Sequence, residues 1–167
     1  MLKLYKRIDG RFHYHEAWLN DQTIYEHWGI AGERGSTKQH PFAKDEKDPI
    51  SKILQPAIDS GFRPIEIENH ATLMIEYTVE GMGSAADLKK RHELQERLDE
   101  TLGWTGIGAC DGGSIGSGTM EVCCYVIDFE LAARIITKDL EETQFSDFSR
   151  IYNEEIILKQ KPWWKFW

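Results

Sequence analysis

Cys110 and Asp111 stand inside a glycine-rich run from Gly106 to Gly118, GIGACDGGSIGSG. A glycine loop holds phosphate when its amides converge at a helix N-terminus. Here a strand pattern follows instead, and the Lys-Ser/Thr of a phosphate-binding loop is missing. Cys110 with Asp111 would supply a nucleophile and an acid, the start of a small enzyme site, but no histidine stands near them in sequence to act as base. The plain reading is a long flexible hairpin whose small side chains admit a neighbouring backbone.

The histidines form a second group. His13 and His15 share one face of a strand pattern. If the following hairpin turns around Asn20–Gln22, opposed residues have an even index sum and His27 joins that face. Three imidazoles could bind a transition metal. The same register opposes Glu16 to Glu26, an unfavourable pair, so the alignment stays open. The plain reading is a polar sheet face with no metal. A third group, Trp28 with Arg34, Lys38 and His40, sets a stacking aromatic beside cations in a glycine-loosened loop, which suits phosphate or an acidic partner. Against it stands a core Trp28 beside an ordinary loop. The fourth group is the tail KPWWKFW, where Trp163, Trp164, Phe166 and Trp167 with Lys161 and Lys165 could dock on a partner, on a membrane surface, on a second copy or back on the chain.

Three cysteines, Cys110, Cys123 and Cys124, are an odd number with two adjacent, and neighbours on a strand point apart. A disulfide framework is not expected, and reduced thiols suit the cytoplasm. No CxxC spacing suggests zinc, and no motif calls for a cofactor. The net charge is −8 over 167 residues. Residues 1–69 carry 10 Lys/Arg and 11 Asp/Glu, whereas residues 70–167 carry 10 and 17. This acidity opposes a polyanion partner, whose binding needs clustered positive charge. No apolar run approaches the ~20 residues of a membrane helix, and Met1–Arg7 has no apolar stretch of signal-peptide length. A cytoplasmic protein with no membrane partner is expected.

The elements that must position these groups follow from periodicity. Leu2–Ile8, a strand carrying Phe12, Tyr14 and Trp18, and one carrying Ile24, Trp28 and Ile30 form an aromatic-rich hairpin sheet, its large aromatics on one side and covering a core. Ala31–Pro41 reads as loop. Asp48-Pro49 opens a helix with apolar Ile50, Ile53, Leu54, Ala57 and Ile58, kinked or broken at Pro56 and ended by Gly61. Phe62–Glu68 returns as a strand. Thr72–Glu80 is the next strand. Ser84 and Asp87 resemble a capping box for a helix carrying Leu94, Leu98 and Leu102. Thr105–Asp111 and Thr119–Ile127 are strands around a Gly112–Gly118 turn. Asp128 caps a helix with Phe129, Ala132, Ala133, Ile136 and Leu140 inward, and Phe148–Ile157 closes as a strand.

The stretch Tyr5–Phe62 resembles a WGR domain. The residues that carry the likeness are Trp28-Gly29, Gly32 and Gly35 in WGIAGERG, after an aromatic strand pair, with Gly61-Phe62 beyond the helix. That resemblance implies nucleic-acid binding, for which the family is best known in poly(ADP-ribose) polymerases; it also occurs alone or in bacterial regulatory proteins. The family's third signature letter is Arg, and here Ile30 stands in its place with Arg34 nearest, so the fold carries over better than the role.

The expected fold is therefore α+β: a WGR-like β-β-β-α-β unit at 1–68, a ferredoxin-like β-α-β-β-α-β unit at 69–158, and an aromatic tail at 159–167. The expected function is a non-catalytic binding or regulatory protein acting on a protein partner or a second copy. The alternatives are nucleic-acid binding through the first unit and an enzyme built on Cys110 and Asp111.

Overall fold

A computed structural model describes residues 1–42 and 47–155. Among them are eight strands in two antiparallel four-stranded sheets and three α-helices, an α+β architecture. The described residues divide into two compact units, Met1–Glu66 with Trp104–Gly106, and Ile67–Gly103 with residues 107–155. Among the described residues no helix is long and apolar enough to cross a membrane.

The first unit is a meander of β1 (Leu2–Ile8), β2 (Arg11–Asn20), β3 (Thr23–Ile30) and β4 (Ser36–Pro41), followed by α1 (Pro49–Asp59). Asp9-Gly10 turns β1 into β2 with both φ angles positive, 49° and 80°, the twist-compatible hairpin form. Asp21-Gln22 forms the next two-residue turn, with Asp21 at φ 52°. Leu4, Ala17 and Ile24 point to the face that receives Leu54 and Ala57 of α1, with Ile50, Ile53, Ile58 and Phe62 packed around them. Asp48 accepts the Ser51 N–H at the helix start, 3.2 Å. At the helix end Gly61, at φ 98°, lets the Gly61 and Phe62 amides reach back to the Ile58 and Ala57 carbonyls at 3.0 Å each, and Phe62 folds onto the apolar cluster.

Three expectations for this unit need correction. Ser36–Pro41 is not loop: it pairs with β3 as a fourth strand. Its side chains are nearly all exposed, so it carries no hydrophobic alternation to read. Phe62–Glu68 is not a strand: only Arg63 bridges to Tyr5, and Pro64, lacking an amide hydrogen, stops the ladder there. The unit is therefore β-β-β-β-α. Helix α1 is not broken at Pro56 but runs through it to Asp59. Pro56 lies on the exposed side of the helix, away from the Leu54 and Ala57 that pack on the sheet.

The second unit runs β5 (Ala71–Thr78), α2 (Ala85–Trp104), β6 (Gly108–Gly116), β7 (Thr119–Val126), α3 (Phe129–Leu140) and β8 (Arg150–Asn153), with sheet order β6-β7-β5-β8. Ser84 and Asp87 form the reciprocal cap: the Asp87 N–H donates to Ser84 Oγ, 3.2 Å, and Asp87 Oδ2 accepts the Ser84 N–H, 2.7 Å. Asp128 caps α3 through the Leu131 N–H, 3.0 Å. Leu94, Leu98 and Leu102 of α2 and Ala132, Ile136 and Leu140 of α3 are buried. They cover the sheet face made by Leu73, Ile75, Tyr77, Met120, Val122 and Val126, and Arg97 of α2 pairs with Asp139 of α3, 2.8 Å.

The expected Gly112–Gly118 turn is much shorter. Strand β6 continues to Gly116, and only Ser117-Gly118, at φ 53° and 89°, turns. A bulge at Asp111 interrupts the pairing between Cys110 and Gly112. Glycine weakens strand propensity, but β7 offers a full ladder of partners, and pairing overrides it. Strand β8 ends at Asn153, whose side chain accepts the Glu155 N–H, 3.0 Å, and turns the chain out of the sheet.

Gly29 and Gly35 close tightly on Tyr14. A Cβ on Gly29 would lie 2.9 Å from Gly35 Cα and 3.0 Å from Tyr14 Oη, and one on Gly35 would collide with Tyr14 Oη and the Trp28 carbonyl. Gly35→Ala should cost about 2–3 kcal/mol of stability through overpacking. Gly103→Ala, at a helical position with nothing within 4 Å, should be neutral or stabilise by about 0.5–1 kcal/mol. Urea unfolding of both variants checks the contrast; equal effects would remove the packing role assigned to Gly35.

Candidate functional site

Strand pairing decides which chemical groups meet. The Asp21-Gln22 turn pairs Asn20 with Thr23, so opposed residues of β2 and β3 have an odd index sum: His15 faces Trp28, and Glu16 faces His27. His13 and His15 therefore lie on the α1 face, whereas His27 lies on the other. The three-histidine cluster does not form, and the unfavourable Glu16–Glu26 pairing is avoided. Among the described residues no group of three or more His, Cys, Asp or Glu side chains is placed to hold a metal ion.

On the face away from α1, Tyr14, His27, Glu16 and Lys3 form a polar chain. His27 Nδ1 lies 2.8 Å from Glu16 Oε1, and His27 Nε2 lies 3.0 Å from Tyr14 Oη. An ionised carboxylate only accepts, so Nδ1 carries the proton toward Glu16, and Nε2 and the Tyr14 hydroxyl share the second bond. Burial, then the negative charge of Glu16, raises the Tyr14 phenol to about 12, against a smaller opposing bond from the Gly35 amide. Lys3 Nζ completes the chain, 3.1 Å from Glu16 Oε2. The order hydroxyl, imidazole, carboxylate is that of an activated nucleophile. Tyr14 and His27 are each 1% exposed, however, and Glu16 4%. No reacting molecule can reach them, and the chain serves to satisfy buried polar atoms and orient the sheet. Trp104 stacks edge-on against His27, with ring centres 5.2 Å apart, and Arg34 lies over Trp104, 5.3 Å away.

On the α1 face, Glu26 receives two histidines. His15 Nε2 and His40 Nε2 each lie 2.7 Å from one of its oxygens. Trp28 tilts against His15 at 5.8 Å and Phe62 meets it edge-on at 6.1 Å. Burial disfavours the Glu26 charge, but the hydrogen bonds and charges of His15 and His40 outweigh it and hold the carboxyl below its ordinary value. Thus Trp28 and His40 share the α1 face with exposed Lys38, which is paired in register with Glu26. Arg34 stacks on Trp104, which contacts the other face. The four residues singled out as one phosphate-binding surface are divided between two faces. The tail residues Trp163, Trp164, Phe166 and Trp167 lie outside the described residues.

In the second unit both helices pack on one sheet face, and the other face carries lateral rows of side chains. Arg150, Glu76, Glu121 and Ser114 form one row; Tyr152, Met74, Cys123 and Gly112 form the next; Thr72, Tyr125 and Ala109 form a third. Arg150 is neutralised by Glu76 through two contacts of 3.1 and 2.6 Å. Glu121 is held by neutral hydroxyls instead, Tyr152 at 2.8 Å and Ser114 at 3.1 Å. The acids leave their mark on their neighbours: burial, then Asp111 and Glu154, pushes the Cys123 thiol up, and Cys123, Asp111 and burial push the Tyr125 phenol up. This aromatic, acidic face was not among the expected site residues. Its signal is the alternation of Thr119, Glu121, Cys123 and Tyr125 against buried Met120, Val122, Cys124 and Val126. Cys110 sits on the helix-covered side opposite Cys124, and Asp111 occupies the exposed bulge.

The Glu26 cluster makes a pH-dependent contribution to stability. A carboxyl whose folded pKa is depressed stabilises fully above its unfolded value, about 4.5, and loses that contribution as pH falls through the folded pKa. Glu26→Gln should therefore cost about 1–2 kcal/mol near neutral pH, with the difference from wild type shrinking below pH 4.5. Urea midpoints across that range measure it, and a difference independent of pH would contradict the assignment.

No family model, curated protein or solved structure matches the chain.

Proposed function

We propose that this chain is a non-catalytic binding or regulatory protein that acts through protein–protein contacts, and that its face of Glu121, Tyr125, Tyr152 and Glu76 receives a basic protein segment. The observation that carries the reading is the contrast between the units' polar groups. The groups with catalytic chemistry in the first unit, Tyr14, Glu16 and His27, are sealed from solvent. The acids and tyrosines of the second sheet stand half-exposed on a face away from both helices of that unit. Tyrosine offers a large rigid contact with a polar tip, a residue type enriched at binding centres, and Glu121, held by neutral hydroxyls, favours a cationic partner. The excess of acids in residues 70–167 works in the same direction.

The architecture in this proposal is a WGR-like unit followed by a ferredoxin-like unit, in the cytoplasm. The first likeness is supported by the joint closure of Gly29 and Gly35 on Tyr14, the second by the β-α-β-β-α-β order with sheet order β6-β7-β5-β8.

The test compares wild type with Glu121→Lys/Tyr125→Ala, both confirmed folded by circular dichroism. A protein co-purifying with wild type in fixed stoichiometry should bind the variant at least about tenfold more weakly, the usual loss for an aromatic and charge anchor. Equal binding by both would remove the proposed face. Retention of DNA or RNA with an affinity falling steeply with salt would replace the protein-binding reading by the nucleic-acid one.

A further inference from the structure

Strands β6 and β7 set Cys110 and Cys124 directly opposite each other, with their sulfurs 2.8 Å apart. The backbone places them in the right kind of pair. The Cys110 N–H leaves the ladder and donates to Asp99 Oδ1, 3.1 Å. The two cysteines therefore do not exchange amide bonds. They form the closer, non-hydrogen-bonded pairing, whose Cα atoms lie roughly 4.5 Å apart, inside the ~4.4–6.8 Å that a disulfide spans. Both side chains point to the helix-covered face, because opposed residues share a face. Cys123 points to the other face and cannot compete for either sulfur.

The two thiols differ in access. Cys124 is fully buried and Cys110 is half-buried. The hydrogen bond with Cys110, then burial, holds the Cys124 thiol well above its ordinary range. An external reagent therefore meets Cys110 first.

We propose that Cys110 and Cys124 are a reversible redox site that closes to a disulfide by exchange with a low-molecular-weight disulfide, RSSR. The Cys110 thiolate attacks one sulfur of RSSR; that S–S bond breaks and RS⁻ leaves, giving a Cys110–SR mixed disulfide. Cys124 then gives up its proton, and its sulfur attacks Cys110 Sγ. The Cys110–Cys124 bond forms and the second RS⁻ leaves. The protein dithiol loses two electrons and two protons, and RSSR becomes two RSH. Excess dithiol runs the sequence backwards. Strand β6 is an edge strand, bulged and rich in glycine. The bond ties it covalently to β7 and constrains the unfolded chain between residues 110 and 124.

The full chain is incubated with oxidised glutathione, quenched with acid, denatured, alkylated and analysed by intact mass and peptide mapping. The expected wild-type product is about 2 Da lighter than the reduced chain, carries a Cys110–Cys124 peptide cross-link, and is alkylated at Cys123. Cys123→Ser should retain no alkylatable thiol after oxidation and remain monomeric. Cys124→Ser should stop at the glutathione adduct on Cys110, and dithiothreitol should restore the thiols in every case. Oxidised wild type should also melt at a higher temperature than reduced. The proposal is overturned if Cys110 and Cys124 stay alkylatable in folded wild type after prolonged exposure, if mapping joins Cys123 to either, or if the bond forms only between two chains.

Discussion

The turn at Asp21-Gln22 is the constraint on which the first unit depends. A strand's side chains alternate with a period of two, so one residue more or less in a hairpin exchanges the faces of everything beyond it. With two residues in the turn, Glu16 meets His27 and Ala17 meets Glu26. Each carboxylate then finds imidazoles: Glu16 has His27, and Glu26 has His15 and His40. A three-residue turn would set the carboxylates against each other and place His27 against the α1 core. Apolar burial and charge pairing select the same register, because Leu4, Ala17 and Ile24 reach α1 only when Tyr14, Glu16 and His27 turn away from it.

That choice creates a second requirement. Tyr14, Glu16 and His27 are buried, and a buried polar atom without a partner costs roughly 1–3 kcal/mol. The bonds from Tyr14 through His27 to Glu16 and Lys3 satisfy these atoms in one line. The line holds only if the chain after β3 comes down onto the phenol. Gly29 and Gly35 permit this approach where any side chain would hold the backbone off. The glycines of the WGIAGERG segment thus have a packing role that needs no ligand. Ile30 takes no part in that role, since it pairs with His13 at the end of the strand and points to the face away from Tyr14.

The second unit was legible almost throughout because its elements bury one face and show the other. Strand β7 alternates strictly, α3 carries an apolar stripe, and Ser84, Asp87 and Asp128 announce their helices by capping chemistry. The first unit was legible only where it had a core to bury. Strand β4 shows mostly exposed side chains and is held by backbone pairing and the His40–Glu26 contact, which leave no hydrophobic alternation to read. The glycine run misled for a related reason: β6 is a strand because β7 supplies its partners, and long-range pairing cannot be read from local propensity. The histidine arrangement was missed by one residue of turn length. The Cys110–Cys124 meeting was missed because it depends on the Ser117-Gly118 turn and the resulting β6–β7 register.

Strand β7 shows how one short segment can serve two chemistries without their interfering. Cys123 and Cys124 are neighbours in sequence, yet alternation sends one to the half-exposed acidic face and the other into the helix-covered core. On the outward side the thiol sits between Tyr125 and Glu121, where burial and then the negative charges of Asp111 and Glu154 disfavour the thiolate. On the inward side the thiol is screened from solvent but meets a second sulfur across the ladder. The Asp111 bulge falls next to that pair and sets its carboxylate within electrostatic reach of Cys123 and Tyr125 on the outward face. The proposed binding surface and the proposed redox pair therefore share a strand and a bulge but not a face. A bond between Cys110 and Cys124 would act on the outward face only through the positions of β6 and Asp111, leaving Glu121 and Tyr125 on a strand already held on both sides by β5 and β6.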